Sequence, residues 1–365
     1  MNYTKKTILI IFFGISFASI VFSNSKKENQ MVSENAYVET EKITILSRIK
    51  NTTLPGESGV FAALMVMCII MSIASPYFLK TVNIFNIMRN MSTIGIMAIG
   101  MTMIIVTGGI DLSVGSQMAV AGMIMARMLQ NGFPIVPSLI IGFGMGLLTG
   151  FFNGFMISRL KVTPFIVTLG MLSIARGMTV FFATGTKGVG VASNITVKDP
   201  FVNFVGGGYI GPIPFPVIIM FVLVFIFSYF LKNTVLGRQI YAIGSNEEAA
   251  RLTGVNVDRV KVLTYTFMGF LCALSGIISA GLLSTAATNI GTGTELDVVA
   301  AVVIGGASLS GGRGSIAGSI IGAAIMAVLR NSFVLLKMPG YMQTISIGAI
   351  IILAVTIDTL RQRKQ

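Results

Sequence analysis

LGRQIYAIGSNEEAARLTGVNVDRVK, residues 236–261, is a charged insert about the size of a helix-turn-helix, set between two strongly apolar runs. Nearly everything else from Val60 onward reads as membrane. A water-soluble domain would place such a segment anywhere on its surface. Here it is the most heavily charged interruption after Val60, in a stretch otherwise built to sit in lipid. A polytopic protein that keeps one specified polar loop of this kind has a surface to offer a soluble partner.

Working outward from that loop, composition excludes a soluble globule. The 365 residues are 54% hydrophobic and only 11% charged, with a mean hydropathy of +0.85, against roughly 25% charged residues in soluble domains. The apolar runs are continuous and do not alternate, which argues for helices of about 20 residues and against a barrel. The predicted fold is an all-α polytopic membrane protein of about ten transmembrane helices, some short or broken. The net charge of +13 does not indicate nucleic acid, because the basic residues flank apolar runs and form no dense patch. Cys68 and Cys272 lie inside apolar runs and read as small hydrophobes. Histidine is absent. With it go the commonest general base and the commonest zinc ligand, so neither catalysis nor a metal site is expected.

The spans fall at 60–79, within 90–110, at 112–126, within 133–158, at 164–184, 213–231, 262–283, 296–306, 315–336 and 341–357. With Lys50 in the cytosol, Arg159, Lys161, Lys232, Arg238, Arg251, Arg259, Lys261, Arg313, Arg361, Arg363 and Lys364 fall inside. The smaller set of Lys80, Arg89, Arg127, Lys187, Lys198 and Lys337 falls outside. That bias puts the 236–261 loop in the cytosol. Residues 1–59 form an N-terminal extension, with a signal-like apolar run at 7–22 behind Lys5 and Lys6, then a polar linker. The 185–216 segment, rich in Gly and Pro, reads as a long irregular outside loop. Gly108-Gly109-x-x-Leu112-Ser113-x-Gly115 is echoed by Gly305-Gly306-x-x-Leu309-Ser310-x-Gly312. Six spans separate the copies, a parallel relation if the echo is a repeat.

Within the cytosolic loop, Ser245, Asn246, Glu247 and Glu248 spell a capping box. The Ser245 hydroxyl is expected to accept from the N–H of Glu248, whose carboxylate reaches back. Ala249, Ala250 and Leu252 carry the helix on, Gly244 precedes it, and Gly254 suits its C-terminal cap. Asn256 is placed to cap the next helix. The two alanines leave a thin face that could slot into a groove on another protein, or the helix could be a solvated connector.

Charges at membrane depth are costly and face protein or water. Asp111 lies at a break between apolar runs, Glu295 and Asp297 open the eighth span, and Arg176 and Arg330 interrupt the fifth and ninth. These residues read either as caps and internal ion pairs or as a polar path. Asp111, Asn153, Thr168, Glu295, Asp297 and Ser310 are the candidates to line that path. Thr163 and Pro164 start the fifth span as N-cap and first helical residue. The chain contains no G-x-x-x-x-G-K-[ST] nucleotide loop.

Four stretches in order carry a resemblance: VTGGIDLSVGS at 106–116, VTPFIVTLG at 162–170, GRQIYAIGSNEEAARLTGVNVDRVK at 237–261 and GTELDVVAAVVIGGASLSGGRG at 293–314. From about 60 to 363 the chain resembles the permease subunits of monosaccharide ABC importers of the ribose, galactoside and xylose type. The resemblance implies a permease domain at 60–363 in the bacterial cytoplasmic membrane, paired with a second permease copy. It implies a cytosolic ABC ATPase docked on 244–254, so that ATP is hydrolysed by a partner and this chain carries no cofactor. It also implies an extracytoplasmic sugar-binding protein at the outer face. The alternative left by the residues alone is an ion-coupled secondary transporter of a small polar solute using Asp111, Glu295 and Asp297.

Overall fold

The computed structural model describes residues 58–184 and 192–362. The extension at 1–57, Lys187, Arg363 and Lys364 lie outside the described residues. Each expected span contains a helix, in the order α1 Ser58–Ala74, α2 Thr81–Val106, α3 Val114–Gln130, α4 Ile135–Ser158, α5 Pro164–Thr184, α7 Phe215–Asn233, α10 Val257–Leu282, α11 Thr294–Ile304, α12 Ile316–Leu335 and α13 Gly340–Gln362. Helices α2, α4, α5, α7, α10 and α12 are long and apolar enough to cross a membrane, whereas α1, α3 and α11 are shorter.

Three expectations need correction. Helix α2 begins at Thr81 and takes in Asn83, Asn86, Arg89 and Asn90. Asn83 and Arg89 are tolerated because they meet partners, and Asn86 and Asn90 are exposed. Asn83 and Asn331 of α12 hydrogen-bond to each other, and Arg89 lies over the Tyr209 ring and donates to the Gly207 carbonyl. Helix α10 begins at Val257, so the charged end of the loop is already helical. The outside segment is more ordered than its glycines and prolines suggest. Asp199 accepts from the N–H groups of Phe201 and Val202 to start α6, Pro200–Gly207. A small hairpin, β2 Tyr209–Ile210 with β3 Ile213–Pro214, follows it.

The centre of the bundle is α2 crossing α10 antiparallel, with both helices mostly buried. Gly100 of α2 lies under Met268 and Leu271, and the Ser275 hydroxyl donates to the Thr93 carbonyl, so higher numbers on one helix meet lower numbers on the other. Helix α10 packs on α3 and α4 much as α2 packs on α11 and α12. The halves are therefore related by inversion about the α2–α10 crossing. The sequence echo suggests a parallel relation, but its two copies are not backbone equivalents. Gly108 has φ 76° just after α2, whereas its counterpart Gly305 is right-handed and Gly306 takes φ 95°.

Close approach along α4 and α10 is set by Gly146, which faces the Gly269 backbone, and by Gly150 and Gly154 on the same side. Small residues let helices without a hydrophobic driving force gain dispersion contact. Phe151, Phe152 and Phe155 of α4 and Phe221 and Phe225 of α7 point outward, as expected of a lipid face. Segments expected on one membrane side share one end of the bundle. Lys161 pairs with Asp258, and the 305–315 loop packs on the 236–261 loop. At the other end β1 Ile195–Thr196 pairs antiparallel with β4 Thr285–Ala286.

Candidate functional site

The charged loop folds as two short helices, α8 Val235–Ser245 and α9 Glu247–Leu252. Thr234 starts α8 by accepting from the Gly237 N–H. The expected capping box is displaced by one residue. Helix α8 runs through Ser245, whose hydroxyl donates to the Tyr241 carbonyl, and Asn246 caps α9 by accepting from the Ala249 N–H at 2.9 Å. Asn and Ser cap about equally well, and the continuation of α8 decides between them. Gly254, at φ 86°, ends α9. Its N–H donates to the Arg251 carbonyl and the next N–H, of Val255, to that of Ala250, the paired bonds of a Schellman motif. Asn256 caps α10 as expected, accepting from the Arg259 N–H.

Ion pairs hold this foot. Glu247 bonds Arg251 at 3.0 Å and Lys261 at 2.5 Å, while Asp258 bonds Arg251 at 3.0 Å and Lys161 at 2.8 Å. Burial pushes the Glu247 carboxyl up, but bonds to Lys261 and Arg251 outweigh it and hold its pKa below the usual carboxylate range. Ala250 is buried beneath α9, whereas Glu248, Ala249 and Leu252 face out. Leu252 is 85% exposed. An apolar side chain left so open on a charged helix is a candidate contact that sequence reading used only to carry the helix on; its offset of four from Glu248 puts the two on one face.

The foot is seated on the membrane portion without a gap. A Cβ on Gly244 would strike the Val106 carbonyl and the Gly312 nitrogen, and the Gly312 N–H donates to that carbonyl at 2.9 Å. The Tyr241 hydroxyl donates to the Gly314 carbonyl at 2.7 Å. Any tilt of α8 therefore reaches the end of α2 and the start of α12 directly. Ser310 is exposed in this 305–315 loop, at the end of the bundle and away from its middle.

Beyond Val106 lies a buried polar group. The Asp111 carboxylate accepts from the Ser113 N–H at 2.8 Å, the Ser113 hydroxyl at 2.5 Å and the Gln117 amide at 3.1 Å. Ser113 in turn accepts from Gln117 and from Asn153 of α4, and Thr149 donates to Gln117. All five are buried. Two of the path candidates, Asp111 and Asn153, thus fall in one cluster, with Ser113, Gln117 and Thr149, which were not among the candidates. Thr168 stands apart, its hydroxyl donating to the Pro164 carbonyl one turn back.

The other charges form a second group. Asp297, buried on α11, pairs with Arg330 of α12. Glu295 accepts from the Gly293 N–H, while its second oxygen lies against Gly115 at the start of α3. Arg176 donates to the carbonyls of Thr288 and Ile290, at 3.0 and 2.8 Å. So α5 holds the 287–293 turn that leads into α11. Among the described residues no group of His, Cys, Asp and Glu could hold a metal ion.

Residues 83–355 match the family described as branched-chain amino acid transport system / permease component. The ribose import permease protein of Bacillus subtilis is 39% identical over 322 residues, covering 88% of this chain and 98% of that protein. The ribose import permease protein of Escherichia coli K12 is 40% identical, covering 82% and 92%. The xylose transport system permease protein of Haemophilus influenzae is 32% identical, covering 87% and 99%. No solved structure matches.

Proposed function

The chain belongs to this family of transport-system permease components, and from that premise we propose how it divides the work of an ATP-driven importer with its partners. It is the multi-pass permease subunit of an ABC sugar import system in the cytoplasmic membrane. The similar proteins are named for ribose, fructose and xylose, which supports a monosaccharide as the solute.

The permease unit is 60–363, joined to a second copy of itself, with the sugar-binding protein on the outer face. The ATPase grips α9 through Glu248, Ala249 and Leu252. Closure of the nucleotide cassettes tilts the foot, and the Gly244–Val106–Gly312 contact passes the tilt to α2 and α12. Of the six path candidates, Asp111, Asn153, Thr168 and Asp297 are buried and shape the path from behind. Glu295 is half-buried, with one carboxylate oxygen shut away, and Ser310 belongs to the seat of the foot.

The observation that carries this reading is the exposure of Leu252 on a helix pinned by salt bridges. Its test is co-purification. The wild-type chain should recover a cassette ATPase from its own cells, and Glu248→Arg or Leu252→Asp should lose it while membrane insertion is unchanged. Uptake by the purified chain alone, without ATP and collapsed by an ionophore, would point instead to ion-coupled transport.

A further inference from the structure

Resting on the permease reading, we infer that the 287–293 turn and the facing side of α5 form the wall of a water-filled passage. Asn289 and Thr292 are its solute-contacting side chains. The turn lies at membrane depth. Arg176, which holds it, is twelve residues after Pro164 and eight before Thr184, about 18 and 12 Å along the helix. Gly291 of the turn backs onto Gly115, where a Cβ on either would strike the other's carbonyl. Gly115 is fifteen residues before the end of α3, about 23 Å away.

Non-helical backbone at such depth persists only where protein buries it or water reaches it. The carbonyls at the centre of the turn are accounted for. Those of Thr288 and Ile290 are taken by Arg176, and that of Gly291 by the Thr294 N–H at 3.1 Å. Its side chains are not enclosed: Asn289 and Thr292 are exposed, as is Ser173, one turn before Arg176 on α5. Beside Ser173, Gly170 and Gly177 leave an open slot in which a Cβ would meet nothing within 4 Å. Bulky apolar residues are exposed elsewhere on α5, Ile166, Leu169, Ile174 and Phe181 among them, but the Gly170–Ser173–Gly177 strip carries only small ones.

An amide and two hydroxyls suit the hydroxyls of a neutral polyol. They bind it by ordinary hydrogen bonds, of modest net strength because each replaces one to water, and the solute can leave as well as enter. Arg176 is the positioning residue. One nitrogen of its guanidinium, Nη1, donates to both carbonyls of the turn, and the flanking side chains are left pointing out.

The test is thiol accessibility in membrane vesicles, in a chain carrying Cys68→Ala and Cys272→Ala together with Ser173→Cys, Asn289→Cys or Thr292→Cys. A charged, membrane-impermeant methanethiosulfonate should label these positions at least tenfold faster than the lipid-facing control Phe225→Cys, and labelling should block ATP-dependent uptake. Labelling of all three no faster than the control would overturn the passage, as would copper-induced disulfide dimers at Ser173→Cys without labelling, the sign of a closed seam between copies. Absence of ATP-dependent uptake by the wild-type chain with its ATPase, with fast labelling of the three cysteine variants retained, would count against the permease reading and leave the passage standing.

Discussion

At the scale of single residues, Gly244 and Asp111 make opposite demands. Gly244 is defined by what it lacks. With the Val106 carbonyl and the Gly312 nitrogen in the way of a side chain, Gly244→Val should lift the foot off α2. In proteoliposomes with the ATPase, hydrolysis should persist while uptake falls at least tenfold; unchanged uptake would show that the seat does not transmit. Asp111 is defined by what it receives. Asp111→Ala strands the donors of Ser113 and Gln117, at about 1–3 kcal/mol for each one left unpaired. The detergent-solubilised protein should melt several degrees lower. In the sequence Asp111 and Asn153 were singled out separately, whereas Ser113 and Gln117, though near Asp111 in one segment, were not. Thr149 and Asn153 were not linked to it, because they arrive on α4 and no local pattern records that meeting.

At the scale of elements, α9 shows how far sequence reading goes. Its existence, its Gly254 terminus and the Asn256 cap that follows were all readable, because each rests on local backbone chemistry. Its first residue was not, since Ser245 and Asn246 are equally able caps and only the length of α8 separates them. The seating of α9 should depend on pH in a definite direction. The folded pKa of Glu247 is lowered, so its contribution is complete above the unfolded value of about 4.3 and is lost as pH falls through the lower folded value. Amide protection of α9, corrected for intrinsic exchange, should be flat from pH 7 to 5 and fall below about pH 4. Glu247→Gln should weaken it already at pH 7 and remove the acid step. In the middle of α5, Arg176→Lys keeps the charge but replaces the planar guanidinium, whose Nη1 reaches both carbonyls, with a shorter, more strongly hydrated ammonium. Uptake should fall while the amount of inserted protein holds, and equal losses of both would mark Arg176 as purely structural.

At the scale of the whole molecule, the spans were legible from continuous apolar runs and glycine-marked breaks, and the segments around Lys161, Asp258 and the 305–315 loop meet at one end of the bundle. The inversion of the two halves was not. It is written in which helix meets which, and the one visible echo in the sequence pointed the other way. That arrangement rests on the α4–α10 seam, so Gly269→Leu, which drives a side chain into the Gly146 backbone, should cost at least the 1–3 kcal/mol typical of overpacking. It should cut the yield of inserted protein, whereas Gly144→Leu, where a Cβ meets nothing within 4 Å, should not. The small strand pair at the far end has a mechanical meaning as well. β1 leashes the outer segment to β4, and β4 ends at Ala286, two positions before the Thr288 carbonyl that Arg176 grips. A visitor that tugs the outer segment has slack of only one residue before the pull arrives in the middle of the bilayer.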